Sequence, residues 1–292
     1  MRRSDWLSRE TGTGVYLKLE TLQPSYSYKI RGAWNAVLAL AERGGAGALV
    51  TASAGNHGRA LAHAGREMGL PVTVFVPSSA PRVKVEAIRQ SGARLRVCAS
   101  YDEAEQLAKR DADDGGAVYV SPYADEDVIA GAGTVGLEVL EDLPDVAEVV
   151  VPVGGGGLIS GIAAALAERE VAVTGVEAEA SSPFTQGLAA GRVVTVEVHP
   201  TLADGLAGNL DPETITFEIV RRRVGRIALA SEEEIRRAIR LLLAEERLLA
   251  EGAAATAIAA VLAARHQSGK DQKIAVVLTG ANIDIDILRT LI

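Results

Sequence analysis

Cysteine and positive charge are both scarce in this sequence of 292 residues. Its one cysteine, Cys98, cannot form a disulfide within the chain and gives no zinc-ligand spacing, which excludes a disulfide-rich secreted protein. Lysine and arginine total 30 against 38 aspartate and glutamate residues, so the net charge is −8 and no basic field can hold a nucleic-acid backbone. We therefore expect a cytoplasmic protein with no nucleic-acid partner.

A long hydrophobic helix is lacking as well. The uncharged stretch 149–167 has almost the length that crosses a bilayer, but its centre holds Pro152 and four consecutive glycines. Those residues would break a helix, so a buried strand, a tight loop and a helix of small residues describe the stretch better. No apolar stretch follows Met1 as it does in a signal peptide. We expect no membrane partner.

Apolar residues make up 48% of the sequence, which is enough for a large buried core. Short runs of Val, Ile and Leu alternate with Ala-rich segments of helical periodicity. This alternation predicts an α/β protein whose parallel sheets are covered by helices on both faces. Candidate strands are 48–52, 72–76, 94–97, 118–120, 149–153, 172–177 and 273–278. Candidate helices are 56–68, 82–91, 102–111, 127–140, 158–168, 232–248 and 253–266.

Two further segments carry local signals. Ser231, followed three residues later by Glu234, is a capping-box signal for a helix start. The stretch 178–226 shows no clear periodicity, and we interpret it as irregular chain on the surface. In open parallel sheets, ligands bind beyond the carboxyl ends of the strands. The loops after Ala52, Val153 and Leu278 are therefore the candidate ligand-binding loops.

The first motif that carries chemistry is the segment 25–33, SYSYKIRGA. In it Lys29 lies between Tyr28 and Ile30, just before a helical run. Partial desolvation would make its amine a usable nucleophile or base. A solvated lysine at a helix start is the alternative interpretation.

The second motif is the segment 51–58, TASAGNHG, which follows a strand and opens a helix. Backbone N–H groups and the positive helix end converge there and, with the Ser53 hydroxyl, would hold a carboxylate. The amide of Asn56 can both donate and accept hydrogen bonds. Simple helix capping by Ser53 or Asn56 is the alternative.

The third and fourth motifs follow two later strands. The turn after Val153 consists of four glycines, Gly154, Gly155, Gly156 and Gly157. Because it has no Cβ atoms, its backbone N–H groups can approach a phosphate. The segment lacks the Lys-Ser/Thr ending of a P-loop and the spacing of the dinucleotide fingerprint, which favours a monophosphate; a tight structural turn is the alternative. Thr279 would offer a neutral hydroxyl at the edge of the sheet.

In this order the four motifs resemble those of the fold-type II pyridoxal-phosphate enzymes (the tryptophan synthase β-like fold), especially threonine/serine dehydratases and the related serine racemases. The resemblance extends from Val15 to Asn282. It implies a pyridoxal 5'-phosphate cofactor, an amino acid substrate and a homodimer. It also implies two domains, with residues 1–47 and 128–292 forming a large cofactor-binding domain and residues 48–127 a small substrate-binding domain.

The resemblance assigns a role to each motif. Lys29 is expected to bind the cofactor covalently and to remove the α-proton of the substrate. The other cofactor-binding positions are Asn56 at the 3-hydroxyl, Gly154 to Gly157 at the phosphate, Thr279 at the pyridine nitrogen and Glu251 near the ring. Ser53, Ala54, Gly55 and His57 are the expected substrate-binding positions.

The resemblance also implies a lyase of amino acid metabolism that eliminates water from L-threonine or L-serine and yields a 2-oxo acid and ammonia. Serine racemases carry a Ser where this chain has Ala54, and His57 in place of Thr disfavours the cysteine-synthase branch. A serine or aspartate racemase, a β-replacement enzyme, a nucleotide-binding protein and an inactive homologue remain alternatives.

Some residues depart from the family pattern. Tyr26 replaces the usual Gly and Tyr28 the usual Phe, so L-threonine need not be the best substrate. Glu177 matches the first ligand of a family cation site, but Ser181 and Pro183 occupy the other two positions. We therefore predict no metal.

Overall fold

The computed structural model describes residues 1–45, 47–269 and 271–292, in which strands and helices alternate. The strands are β1 (Arg2–Arg3), β2 (Gly14–Leu19), β3 (Ala48–Ala52), β4 (Val72–Pro77), β5 (Arg94–Cys98), β6 (Ala117–Tyr119), β7 (Val146–Pro152), β8 (Ala172–Ala178), β9 (Arg226–Ala230) and β10 (Lys273–Leu278). The helices are α1 (Asp5–Thr11), α2 (Lys29–Glu42), α3 (Asn56–Glu67), α4 (Arg82–Gln90), α5 (Tyr101–Gly115), α6 (Glu126–Asp142), α7 (Gly157–Ala165), α8 (Pro183–Ala190), α9 (Ile215–Arg223), α10 (Glu232–Leu241), α11 (Gly252–Leu262) and α12 (Ile285–Leu291).

Backbone contacts divide the chain into two compact units. The first unit comprises Met1–Leu22 and Gly133–Ile292. Its six-stranded sheet has the order β1-β2-β10-β7-β8-β9, and only the pairing of β1 with β2 is antiparallel. The alanine-rich helix α11 is buried from Gly252 to Val261, as expected of a helix that is apolar all round. It packs against the strands and shares their hydrophobic core.

The second unit comprises Gln23–Ala132. Its four strands are all parallel, in the order β5-β4-β3-β6. One hydrophobic cluster joins this sheet to α2, α3 and α4, and a second cluster joins it to α5 through Ala104 and Ala108. Helices therefore cover both faces of this parallel sheet, and the predicted α/β class is confirmed.

The division between the units falls at other residues than the predicted domain boundaries at 47/48 and 127/128. Residues 23–45 belong to the second unit, because Ile30 and Val37 of α2 share a buried core with Leu61 of α3. The predicted boundaries, which the resemblance implied, stay predictions for the functional domains, as do the cofactor-binding and substrate-binding roles of those domains.

Two predictions of local structure are wrong. The stretch 178–226 is not irregular throughout: it contains α8 and α9, and β9 begins at its end. The predicted helix 232–248 ends as an α-helix at Leu241 and continues as a π-helical turn over Leu242–Glu246. Arg247 then adopts a left-handed backbone with φ +56°. Tertiary contacts favour this ending, because the side chains of Arg2 and Ser4 hydrogen-bond to the Glu246 carboxylate.

Other local predictions are confirmed. All seven candidate strands are present, with bounds that differ by at most a few residues. Ser231 and Glu234 form the predicted capping box at the start of α10. The apolar stretch 149–167 is divided between β7, the glycine loop and α7. No helix within the described residues is both long and apolar enough to cross a membrane.

Candidate active site

The loop between β3 and α3 carries the second predicted motif. Gly55 is the N-cap of α3 and makes no side-chain cap hydrogen bond, because glycine has no side chain. The Ser53 Oγ accepts a hydrogen bond of 3.3 Å from the Gly55 N–H, just before the first turn of the helix. A Cβ at Gly58 would lie 2.7 Å from the Ser53 carbonyl oxygen, so glycine allows the helix to start against the strand end. An uncapped helix start is well suited to bind a carboxylate.

His57 lies in the first turn of α3 and is only 2% exposed. Its Nε2 lies 3.1 Å from the Val120 carbonyl oxygen, which requires the proton to be on Nε2. Burial and, to a lesser degree, the nearby charge of Lys29 lower its pKa to about 3. The imidazole is therefore neutral at physiological pH. Its Nδ1 is buried and has no hydrogen-bond partner among the described residues.

Lys29 is the first residue of α2. Its side chain is half-buried, and its Nζ donates a hydrogen bond of 2.6 Å to the Pro122 carbonyl oxygen. The same Nζ lies 5.2 Å from the centroid of the Tyr28 ring. A Cβ at Gly32 would lie 2.7 Å from the Val128 carbonyl oxygen, so α2 approaches the first turns of α6 closely. The amine is thus held in place and is not simply solvated.

In the first unit, the glycine loop joins β7 to α7. Gly156 is the N-cap of α7 with φ +85°, a left-handed conformation that favours glycine, and no side chain caps the helix. A Cβ there would lie 2.5 Å from Cζ of Phe184, and a Cβ at Gly154 would lie 3.0 Å from Cα of Leu206. Thr216 donates a hydrogen bond of 2.8 Å from its Oγ1 to the Gly155 carbonyl oxygen. The loop is therefore tightly packed by Phe184 and Leu206, and the start of α7 has no side-chain cap hydrogen bond.

Thr279 follows β10 and is 4% exposed. Its Oγ1 is buried and has no hydrogen-bond partner within the described residues. Such an unsatisfied hydroxyl costs free energy and requires an explanation, of which a bound ligand is one.

Glu251 lies beside this strand end, because its backbone N–H donates a hydrogen bond of 3.0 Å to the Gly280 carbonyl oxygen. It is the N-cap of α11 and is 6% exposed. Its side chain is therefore buried and does not lie on the surface. A Cβ at Gly252 would collide with the Leu202 carbonyl oxygen, so the loop around Leu202 packs against the start of α11.

The predicted site residues form one set in each unit. In the second unit, the structure brings Lys29 and His57 to the same backbone segment, Val120 to Pro122. In the first unit, the loop 202–206 contacts both Gly154 and Gly252, and Glu251 adjoins Gly280. The available chemistry is an amine, two uncapped helix starts that can bind anions, and a buried neutral hydroxyl.

Comparison with known proteins identifies the family. A family model described as pyridoxal-phosphate dependent enzyme matches residues 1–280. This chain belongs to that family. It is 44% identical over 292 residues to the L-threonine ammonia-lyase of Thermotoga maritima, a match that covers 99% of this chain and 72% of that protein.

Solved structures of this family share the fold. The structure of maize serine racemase matches with a TM-score of 0.92 and 32% identity, over 99% of this chain and 89% of that one. The processed form of threonine deaminase isoform 2 from Solanum lycopersicum matches with a TM-score of 0.91 and 31% identity, over 99% of this chain and 85% of that one. The predicted fold type II and the predicted resemblance to dehydratases and racemases are confirmed.

The residues present fit pyridoxal phosphate, the cofactor of this family. The start of α7 has no side-chain cap hydrogen bond, so the backbone N–H groups of the glycine loop and of the first turn can bind a phosphate. The unsatisfied Thr279 Oγ1 fits a neutral contact to a pyridine nitrogen. The Lys29 amine can supply the covalent attachment. The predicted cofactor and enzyme class are confirmed by the family, whereas the roles of individual residues stay predictions.

Glu177, which resembles a ligand of a family cation site, has other partners here. Its carboxylate accepts hydrogen bonds from the Phe184 N–H, the Thr185 N–H and the Thr185 hydroxyl at the start of α8. Burial raises its pKa, although these hydrogen bonds oppose the shift. Within the described ranges, no group of three or more His, Cys, Asp or Glu residues could hold a metal ion.

Sequence reasoning missed two contributors to the site. The Pro122 carbonyl holds the Lys29 amine, and the Thr216 hydroxyl holds the glycine loop. Pro122 follows β6, so the rule that ligands gather at the carboxyl ends of strands would have found it if applied to that strand. Thr216 lies in a stretch interpreted as irregular, and its contact with Gly155 spans residues too distant in sequence for local patterns to reveal.

Proposed function

We propose that this chain eliminates water from a β-hydroxy amino acid such as L-threonine or L-serine and yields a 2-oxo acid and ammonia. The observation that carries this proposal is the 44% identity, over 99% of the chain, to a protein named L-threonine ammonia-lyase. The Solanum lycopersicum threonine deaminase, which matches with a TM-score of 0.91, supports the same reaction class.

Pyridoxal phosphate, when bound, supplies an electron sink that acidifies the Cα–H bond of the amino acid. In the first unit, the backbone N–H groups of Gly154 to Gly157 at the start of α7 would bind its phosphate. The Thr279 hydroxyl would hydrogen-bond to the pyridine nitrogen, and Glu251 would lie near the ring. A hydroxyl would not keep a proton on that nitrogen as an aspartic acid would, so the ring would be a weaker electron sink, which suits the loss of a β-leaving group.

In the second unit, Lys29 is the catalytic residue. Its Nζ would supply the covalent link to the cofactor and, as a free amine, would accept the α-proton of the substrate as a general base. The Ser53 hydroxyl and the uncapped start of α3, from Ala54 and Gly55 to His57, bind the substrate carboxylate. Asn56 hydrogen-bonds to the cofactor 3-hydroxyl.

Amino acid racemisation is the second candidate, because maize serine racemase matches this chain with a TM-score of 0.92. Racemisation needs a second acid/base on the opposite face of the substrate. Ala54, at the position where serine racemases carry that group, has a methyl side chain and no proton to give. This absence favours elimination.

Ammonia release and 2-oxo acid formation from L-threonine and L-serine test the proposal. Lys29→Ala should lower turnover by at least about 10²-fold, the usual contribution of a general base, and should prevent covalent trapping of the cofactor by borohydride. Lys109→Ala, which removes a lysine ion-paired with Glu105 on α5, is the matched control and should retain activity. Holoenzyme that forms the D-amino acid but no 2-oxo acid would establish racemisation instead.

We further propose that the enzyme is a cytoplasmic homodimer whose cofactor phosphate is bound by the first unit and whose substrate carboxylate is bound by the second. The single cysteine and the family resemblance support a reducing compartment and a dimer. Sedimentation at twice the chain mass of 30.4 kDa would support the dimer, and sedimentation at the chain mass would contradict it. Fractionation of the source cells tests the location.

A further inference from the structure

In the second unit, side chains from α2, β3 and α3 donate hydrogen bonds to the backbone carbonyl groups of Val120 and Pro122. His57 Nε2 donates to the Val120 carbonyl oxygen over 3.1 Å, and Thr51 Oγ1 donates to the same oxygen over 2.8 Å. Lys29 Nζ donates to the Pro122 carbonyl oxygen over 2.6 Å. The Val120 N–H donates to the Val50 carbonyl oxygen over 2.9 Å. The short segment from Val120 to Pro122 is thus fixed at one end and holds the amine at the other.

The buried His57 side chain lowers the stability of the fold while it takes part in this arrangement. Its neutral ring carries one proton, and the contact with Val120 keeps that proton on Nε2. Nδ1 is then an acceptor, and it is buried without a hydrogen-bond partner among the described residues. An unsatisfied buried acceptor destabilises a fold, so an apolar side chain would be the better choice if packing alone mattered. Its hydrogen bond to Val120 is the compensating contact that the structure provides.

We propose that the Val120–Pro122 segment positions the Lys29 amine whenever it is not bonded to the cofactor, and that His57 is a positioning residue that acts on Lys29 through this segment. The inference rests on the proposed function only in taking Lys29 as the catalytic amine. Val120 is fully buried, and loss of one of the two side-chain donors to its carbonyl weakens the hold on this oxygen and lets the segment shift. The Pro122 carbonyl then holds the amine less firmly.

Competitive acetylation of the cofactor-free full chain measures this effect without relying on activity. The hydrogen bond to the Pro122 carbonyl holds the Lys29 amine against the backbone, so displacement of that carbonyl leaves the amine freer to react with the reagent. We expect His57→Phe to raise the acetylation rate of Lys29, relative to Lys109 in the same sample, by about 3- to 10-fold, the effect of one net hydrogen bond. General destabilisation would raise both rates and leave their ratio unchanged.

Three further variants complete the test. His57→Gln keeps an N–H donor and should return the ratio to within about twofold of the original chain, which corresponds to less than one net hydrogen bond. Thr51→Val removes the other donor to Val120 with little change of shape and should raise the ratio, which keeps the proposal testable if His57→Phe does not fold. His63→Phe, the same substitution on the same helix at a half-buried position, should leave the ratio unchanged.

The holoenzyme supplies a second measurement. His57→Phe should lower kcat for L-threonine about 3- to 10-fold with little change in KM, because the amine is misplaced while the carboxylate-binding helix start remains. An unchanged acetylation ratio in both His57→Phe and Thr51→Val overturns the proposal, as does an equal rise in the Phe and Gln variants. If the expected ratios occur in an enzyme that releases no ammonia, the positioning role stands and the proposed function fails.

Discussion

In the proposed active site, Ala54 carries a methyl group and His57 a neutral imidazole, and both limit the proton transfers available there. Ala54 offers no proton, and His57 remains uncharged because burial lowers its pKa to about 3. The Thr279 hydroxyl is likewise neutral and has no partner within the described part of the chain. In the proposed function, these uncharged side chains favour elimination over racemisation.

Ala54→Ser tests the choice between elimination and racemisation. A serine hydroxyl would supply an acid/base group on the second face of the substrate, and such groups contribute about 10²- to 10⁴-fold to proton transfer. We expect D-serine formation from L-serine to rise at least about tenfold relative to ammonia release, as measured by chiral chromatography. Ala60→Ser, further along α3, is the control. A ratio that does not change would argue against the role assigned to position 54.

His57 also predicts a pH dependence of stability. In the unfolded chain its pKa is 6.5, whereas in the folded protein it is about 3. Between these values only the unfolded state takes up the proton, so stability is lost as the pH falls from 6.5 toward 3. The loss from this group is at most about 1.4 kcal/mol per pH unit.

Urea unfolding of the cofactor-free chain in this pH range checks the prediction. His57→Gln should remove that part of the slope, whereas His63→Gln should keep it. An identical slope in the His57→Gln variant would show that His57 does not stay neutral in the folded protein. The comparison between variants is needed because carboxylates titrate in the same range.

At the scale of elements, the glycine loop between β7 and α7 combines two constraints at Gly156. Its φ of +85° is left-handed, and a Cβ would lie 2.5 Å from Phe184 Cζ. Phe184 is fully buried and stacks on Phe217 with 6.2 Å between ring centroids, so it has little freedom to move. The shape of the loop, which we propose binds the cofactor phosphate, therefore depends on an aromatic pair that lies outside it.

Gly156→Ala should destabilise the protein by about 2 to 4 kcal/mol, the sum of backbone strain and overpacking. Gly191→Ala is a matched control, because Gly191 has φ +70° but a Cβ added there would meet no atom within 4 Å. It should cost only about 1 kcal/mol. Urea unfolding measures both, and pyridoxal phosphate titration should show weaker binding for Gly156→Ala alone. Equal losses of stability in the two variants would contradict the role of Phe184.

At the scale of the whole molecule, the two units differ in how the chain builds them. The second unit is one continuous segment, Gln23–Ala132, with its own parallel sheet and cores. The first unit joins Met1–Leu22 to Gly133–Ile292, and β2 pairs directly with β10. The sheet of the first unit can therefore form only when both of these segments are available to pair.

The fragment 23–132 should consequently fold on its own. We expect a cooperative urea transition with a stability below the 5 to 15 kcal/mol of typical domains, roughly a few kcal/mol, because α6 is cut. Circular dichroism and urea titration measure this. The fragment 133–292, which lacks β2, is the control and should not unfold cooperatively. A featureless titration of 23–132 would contradict the independence of its core.

Much of the fold could be predicted because its signals are local. The runs 48–52 and 273–278 have the bounds that their apolar pattern indicates, and the capping box at Ser231 is present. The π-helical turn after Leu241 could not be predicted, since the sequence there remains helical in pattern and the Glu246 contacts come from the other end of the chain. The same reason explains why the Pro122 and Thr216 contacts were missed.

The sequence by itself determined the alternation of strands and helices, the family and the order of the four motifs, because periodicity, glycine content and short spacings act over a few residues. Only the tertiary structure decided that His57 is neutral, that the Thr279 hydroxyl has no partner in the described chain, and that Gly156 admits no side chain. Burial, pKa and steric room depend on atoms contributed by distant parts of the chain, and no local pattern contains them.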